Sequence, residues 1–275
     1  MKPPQHPAQN PPKAYKDEGF INSPDARPVR ILAEYLEPKA RFNAYDIQDT
    51  ILFFGSARIC SQEAAEAELD ALRKAGCDEA DGLRKLKLSE YYEATRDLAG
   101  RLTKWSKSLR DKSGRRFVIC TGGGPGIMEA ANRGASEAQG ENVGLGISLP
   151  FEQGNNAWVT HSLSFEFHYF FTRKFWFLYL AKALVLMPGG FGTMDELFET
   201  LTLLQTRKIK KRLPVVLFGT EYWDKVMNLD AMVEFGTIDA KDLDLIYRTD
   251  SVDDAFAYIT HELAEHALPD PGGRL

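Results

Sequence analysis

The residues with the clearest capacity for chemistry lie in two glycine-rich stretches. These are Thr121-Gly122-Gly123-Gly124-Pro125-Gly126-Ile127-Met128-Glu129 and Pro188-Gly189-Gly190-Phe191-Gly192-Thr193-Met194-Asp195-Glu196. Each follows a short apolar run, Phe117 to Cys120 and Ala183 to Met187, and each opens a helical pattern. A chain that turns from strand to helix through glycines presents backbone N–H groups with no intrahelical partner, and the helix dipole adds to their attraction for an anion. The chemistry expected of such turns is phosphate binding. Neither stretch has the lysine of a P-loop, and the first lacks the spacing and downstream acid of a dinucleotide fingerprint, which argues against an ordinary ATP or NAD site. One such turn alone reads equally well as a tight βα connection. Two of them, at sheet positions able to converge, favour a shared anion site.

The elements that must position these turns alternate along the chain. A strand is expected at Thr50 to Phe54, turning at Gly55-Ser56-Ala57-Arg58, followed by two helices between Glu63 and Lys107 broken around Gly76 to Gly82. Strands are then predicted at Arg116 to Cys120, Val143 to Leu149, near Val159 to Phe165, Leu184 to Met187, Val215 to Phe218 and Leu245 to Tyr247. Helices fall between them, to about Gln139, over Phe170 to Ala181, from Met194 to about Arg207, and finally from Ser251. This order implies an α/β fold, a Rossmann-like doubly wound parallel sheet in a single domain, with ligands at the carboxyl ends of the strands. Residues 1–48 read as a proline-rich arm (Pro3, Pro4, Pro7, Pro11, Pro12) and an accessory amphipathic helix stopped near Pro38. Residues 49–268 form the nucleotide-binding catalytic domain on this reading, and 269–275 a tail.

Composition narrows the function. The 275 residues are 44% hydrophobic and 27% charged, enough for a full core, and the net charge of −5 gives no electrostatic reason to bind nucleic acid. Three cysteines with no metal-ligand spacing imply a reduced compartment. No apolar stretch approaches the roughly 20 residues that span a bilayer, so a cytoplasmic protein without membrane contact is expected. His161 and His168 are isolated, and no metal is expected.

Gly122 to Ala135 (GGGPGIMEAANRGA) and Pro188 to Glu196 (PGGFGTMDE) together resemble the LOG family of nucleoside-monophosphate phosphoribohydrolases, long labelled lysine decarboxylases. The resemblance runs from about Asp49 to Phe218, and Gly55-Ser56-Ala57-Arg58 is similar to the family's first turn. It implies cleavage of the N-glycosidic bond of a nucleoside 5′-monophosphate, AMP, a cytokinin ribotide or another purine monophosphate, to free base and ribose 5-phosphate, with no cofactor. It also implies that Arg173 and Glu196 are the catalytic pair. Substrate and phosphate binding would fall to Ser56, Arg58, Gly122, Gly123, Gly124, Gly126, Met128, Glu129, Lys174, Gly189, Gly190, Gly192 and Thr193. A homodimer follows from the same resemblance, since family sites are completed near a subunit interface. Two departures stand out: Gly126-Ile127-Met128-Glu129 replaces the usual Gly-Leu-Met-Gly, and the N-terminal extension and the insertion from Glu63 to Lys107 exceed a minimal member.

Several of these residues have a structural reading too. Thr193 and Glu196 have the spacing of a capping box. Glu129 could contact ribose or simply favour a helix dipole. Ser56 and Arg58 could be ordinary turn residues, and Arg207 to Arg212 a solvated cap on the preceding helix. Nine of the fifteen residues from Phe165 to Tyr179 are aromatic, which suits a core or dimer interface, and an arginine among them needs an anionic partner. Glu196 in the ionised form would stabilise an oxocarbenium-like sugar and orient water, with Arg173 holding it ionised by proximity. Two other functions compete. One is a non-catalytic carrier of a nucleotide or of molybdenum cofactor, whose carrier proteins resemble this fold. The other is pyridoxal-phosphate decarboxylation through Lys174 or Lys182.

Overall fold

The strand Thr50–Phe54 is buried at every residue, the pattern of a strand paired on both sides and covered on both faces. It is β1 of a seven-stranded, all-parallel sheet in the computed structural model, which describes residues 11–109, 114–148 and 154–273. Before it come α1 (Glu18–Ile21) and α2 (Arg27–Ala44). After it come α3 (Gln62–Ala75), α4 (Ala80–Ser108), β2 (Val118–Thr121), α5 (Ile127–Glu137), β3 (Asn142–Ile147), β4 (Ser164–Phe167), α6 (Phe170–Leu180) and β5 (Ala181–Leu186). The chain continues through α7 (Phe191–Gln205), β6 (Val215–Phe218), α8 (Thr220–Val226), α9 (Leu229–Glu234), β7 (Ile246–Thr249) and α10 (Val252–Glu262).

The strand order is β4-β3-β2-β1-β5-β6-β7. From β1 the chain winds outward to β4, returns to β5 beside β1, and winds outward again to β7. The reversal leaves a crevice outside the carboxyl ends of β1 and β5, the switch point at which such sheets bind ligands. Successive β1 residues point to opposite faces. Ile51 and Phe53 join Tyr92, Leu98, Ile127 and Ile259 under α4, α5 and α10, while Leu52 and Phe54 join Phe42, Trp176, Phe177 and Trp223 under α2, α6 and α8.

Several boundaries differ from the sequence expectation. Pro38 does not stop the accessory helix; α2 runs through it to Ala44 with Pro38 buried inside. A proline forfeits the bond to the carbonyl four residues back, here Glu34, and that carbonyl accepts the indole N–H of Trp176 at 3.1 Å instead. Gly82 lies within α4 rather than in a break, because α3 and α4 approach so closely that a Cβ there would touch Leu69. The strand expected near Val159 begins only at Ser164, after a short 3₁₀ turn at His161–Leu163. The proline-rich arm through Asn10 and the end of the third predicted strand at Leu149 lie outside the described residues. Within the basic run, Lys211 is not a solvated cap on the preceding helix. Lys211 donates to the Leu178 and Tyr179 carbonyls (2.6 and 3.0 Å) at the end of α6, and burial pushes its pKa down to about 7.

The amino-end edge of the sheet is closed by a buried charge network. Asp49 pairs with Arg116 and stands 3.6 Å from the Lys182 ammonium, and all three are buried. Lys182 donates to the Asp270 carbonyl (2.8 Å) and Arg116 to the carbonyls of Ala267 and Leu268 (2.7 and 3.0 Å), while Gly272 N–H donates to Asp49 (3.1 Å). The residues read as a tail are therefore pinned to the core as far as Gly272.

Candidate active site

Three βα turns meet at the carboxyl edge. The Ser56 N–H donates to the Pro188 carbonyl (2.9 Å) and the Ile127 N–H to the Ser56 carbonyl (3.1 Å), so the turn after β1 is bonded to the turns after β5 and β2. Glycine is required for this approach. Gly126 has φ of +72°, and a Cβ there would overlap the Ser56 carbonyl oxygen.

The turns enclose a cleft of about 760 Å³. Ser56 and Arg58 of the first turn line it, with Gly122, Gly124 and Met128 of the second and Gly189, Gly190, Gly192 and Thr193 of the third. Arg173, on the first turn of α6, and Glu196, on α7, add to the polar lining, with Asp195 and Tyr222.

The remaining candidates lie behind that lining. Gly123 donates its N–H to Thr121 Oγ1 (2.9 Å), and its carbonyl accepts from the Asn156 backbone (2.7 Å) and side chain (3.0 Å). It shapes the turn, and its N–H is already used. Gly126 forms the junction just described. Glu129 accepts from the Tyr92 hydroxyl at 2.9 Å, which with burial pushes the Tyr92 pKa up to about 12. Lys174 turns toward α7 and ion-pairs with Asp195 and Glu199 at 2.7 Å each.

Glu196 is not a capping residue. The helix α7 starts at Phe191, three residues earlier than expected, with Gly190 as its N-cap, so Thr193 and Glu196 both lie inside it. Thr193 packs tightly over Gly189, where a Cβ would overlap its hydroxyl. Glu196 is 4% exposed, and its Oε2 has no hydrogen-bond partner among the described residues. Burial pushes its pKa up to about 7, against the lowering influence of Lys174 and Arg173 and with Glu199 and Asp195 adding to the rise. The expectation that Arg173 holds this carboxylate ionised is therefore corrected, since desolvation outweighs the nearby cations. Arg173 itself lies over the rings of Phe170 and Phe177 (5.2 and 5.3 Å), with Phe177 a wall of the same cleft.

Sequence reasoning missed several parts of the site. Asn156 ties the Gly123 and Gly124 carbonyls to Asn132 (3.0 Å each), and Tyr222 from α8 donates to the Gly189 carbonyl (2.6 Å). The Gly154-Asn155-Asn156 step was a turn signal, but nothing local tells which distant carbonyls it serves. Phe191 projects from the third turn 96% exposed and lines the cleft together with Phe170, which is 52% exposed.

Residues 128–259 match the profile of the family described as "Possible lysine decarboxylase". The matched region includes Pro188 to Glu196, the stretch that resembles the LOG family. No curated protein matches it. Among solved structures, the chain is similar to the X-ray structure of the structural-genomics protein TM1055, at 19% identity over 78% of this chain and 99% of that one, with a TM-score of 0.44. It is likewise similar to the molybdenum cofactor carrier protein of Chlamydomonas reinhardtii, at 20% identity over 79% and 99% of the two chains, with a TM-score of 0.44. The family's lysine-decarboxylase label finds no support in the cleft, whose described lining contains no lysine. Lys182 is buried at the opposite edge of the sheet and Lys174 is held by two carboxylates, so neither fits a Schiff base with a cofactor in the cleft. No helix among the described residues is long and apolar enough to cross a membrane.

Proposed function

We propose that this chain hydrolyses the N-glycosidic bond of purine nucleoside 5′-monophosphates. The observation that carries this reading is Glu196, a buried carboxyl with an unpartnered oxygen and a pKa of about 7, set in a cleft walled by three glycine turns. In this reading the turns hold the 5′-phosphate on backbone N–H groups and Arg173 supplies the fixed cation. Water adds to C1′ as the C1′–N bond breaks. The base leaves with the bonding pair, the Glu196 carboxylate stabilises the oxocarbenium-like sugar and receives a proton from the attacking water, and that proton passes on to the departing base. A carboxyl near neutrality is matched to that exchange.

A passive carrier of the same anion has no use for a second, buried negative group beside it, so Glu196 speaks for the hydrolase. The reading includes a homodimer, supported by Phe170, Phe171, Phe191 and Phe198, all exposed on α6 and α7, with Phe170 and Phe191 in the wall of the cleft. Incubation with a panel of nucleoside monophosphates, with detection of free base and ribose 5-phosphate, tests the activity. A protein that binds AMP and releases no base from any member of the panel is a carrier, and the proposal fails.

A further inference from the structure

The accessory helix α2 holds the start of α6 through Glu34. The Glu34 carboxylate accepts from the backbone N–H groups of His168 (2.8 Å) and Tyr169 (3.3 Å) and from the Thr172 hydroxyl (2.6 Å). Its carbonyl, released by Pro38, accepts the Trp176 indole N–H one turn further on. Tyr169 is the N-cap of α6 and contributes no side-chain cap of its own. The anion that satisfies this helix start and opposes its dipole therefore comes from a segment outside the sheet.

Arg173 sits directly downstream of this grip. It follows Thr172, and its N–H closes the first helical bond onto the Tyr169 carbonyl at 3.3 Å. We propose that Glu34 is a positioning residue for Arg173: it fixes where α6 begins and thereby where the guanidinium stands in the cleft. The accessory helix is then part of the site's machinery rather than decoration. The inference rests on the hydrolase reading for the role of Arg173, and on the hydrogen-bond geometry alone for the grip. The grip can be removed without undocking α2, which Arg41 also ties to the Ser164 carbonyl (2.6 Å) and Phe42 to Phe165 and Trp176.

The test is a double-mutant cycle on the full chain with Glu34→Ala, Arg173→Ala and the double variant, reading kcat and KM for AMP hydrolysis. Glu34→Ala is expected to lower kcat/KM about 10- to 100-fold, the scale of a misplaced reacting group. The double variant should be no slower than Arg173→Ala alone, because both changes remove the same interaction. Glu34→Gln, which keeps an acceptor oxygen, should recover part of the loss. Hydrogen exchange in Glu34→Ala should quicken at residues 168–173 and not across the sheet. Additive losses in the cycle, activity within twofold of the parent, or quickened exchange throughout the molecule would each overturn the inference. If the parent cleaves no nucleotide, the hydrolase reading falls by itself, and the same cycle is read from ribose 5-phosphate affinity by calorimetry with the same two outcomes.

Discussion

The N–H of Ser56 donates to the carbonyl of Pro188 across 2.9 Å, joining two turns that lie more than a hundred residues apart in the chain. With Ile127 bonded to the carbonyl of the same serine, that backbone makes Ser56 the hub of the cleft. Alteration of the packing at this hub should disturb ligand binding before it disturbs the fold.

Gly126→Ala is the sharpest probe of the hub. The residue keeps φ at +72° and its missing Cβ leaves room for the Ser56 carbonyl, so alanine meets both backbone strain and a clash. A loss of about 1–3 kcal/mol in denaturant unfolding is expected from the strained conformation. A rise in KM should accompany it as the Ser56 and Ile127 turns separate, and unchanged KM would show that the turns do not act together.

Glu196→Gln separates chemistry from folding. Hydrolysis should fall about 10²- to 10⁴-fold, the usual contribution of a positioned acid–base group. Stability should move the other way. The folded-state pKa lies above the unfolded value, so the native state binds more protons between pH 4.5 and about 7, and the parent loses stability as pH rises through that window. The loss approaches about 3 kcal/mol above pH 7, at about 1.4 kcal/mol per pH unit. Thermal unfolding at pH 5 and pH 8 should show the glutamine variant gaining on the parent at the higher pH; equal gains at both would contradict a raised pKa.

The activity of the parent should climb through a limb near pH 7 and level off above it, because the ionised Glu196 does the work. Lys174 is the strongest of the charges favouring that ionised form, and it also neutralises Asp195 and Glu199. Lys174→Met should therefore shift the limb upward by about one pH unit. A limb that stays in place, or moves down, would assign the titration to another group.

At the far edge of the sheet, Asp49→Ala removes a buried carboxylate that pairs with Arg116 and stands 3.6 Å from the Lys182 ammonium. The expected cost is about 3–5 kcal/mol in unfolding free energy. The kcat of the remaining folded protein should match the parent, since the network is remote from the cleft; a changed kcat would mean that the two edges are coupled.

The alternation of apolar runs with helical stretches was enough to determine a parallel α/β sheet, because burial on both faces writes continuous hydrophobic strands such as Thr50 to Phe54 and Val215 to Phe218 into the sequence. The glycine turns were legible for a similar reason, since the requirement for a positive φ or a missing Cβ is met by one residue type at its own position. The family motif placed Arg173 and Glu196 among the candidates. Only the tertiary structure decided what surrounds them. It turned Lys174 toward Asp195 and Glu199, gave Glu129 to Tyr92, started α7 early enough to cancel a capping box, and replaced the missing Pro38 bond with Trp176. These outcomes depend on which distant groups share a desolvated space, and a proton affinity such as that of Glu196 is set by that space rather than by neighbours along the chain.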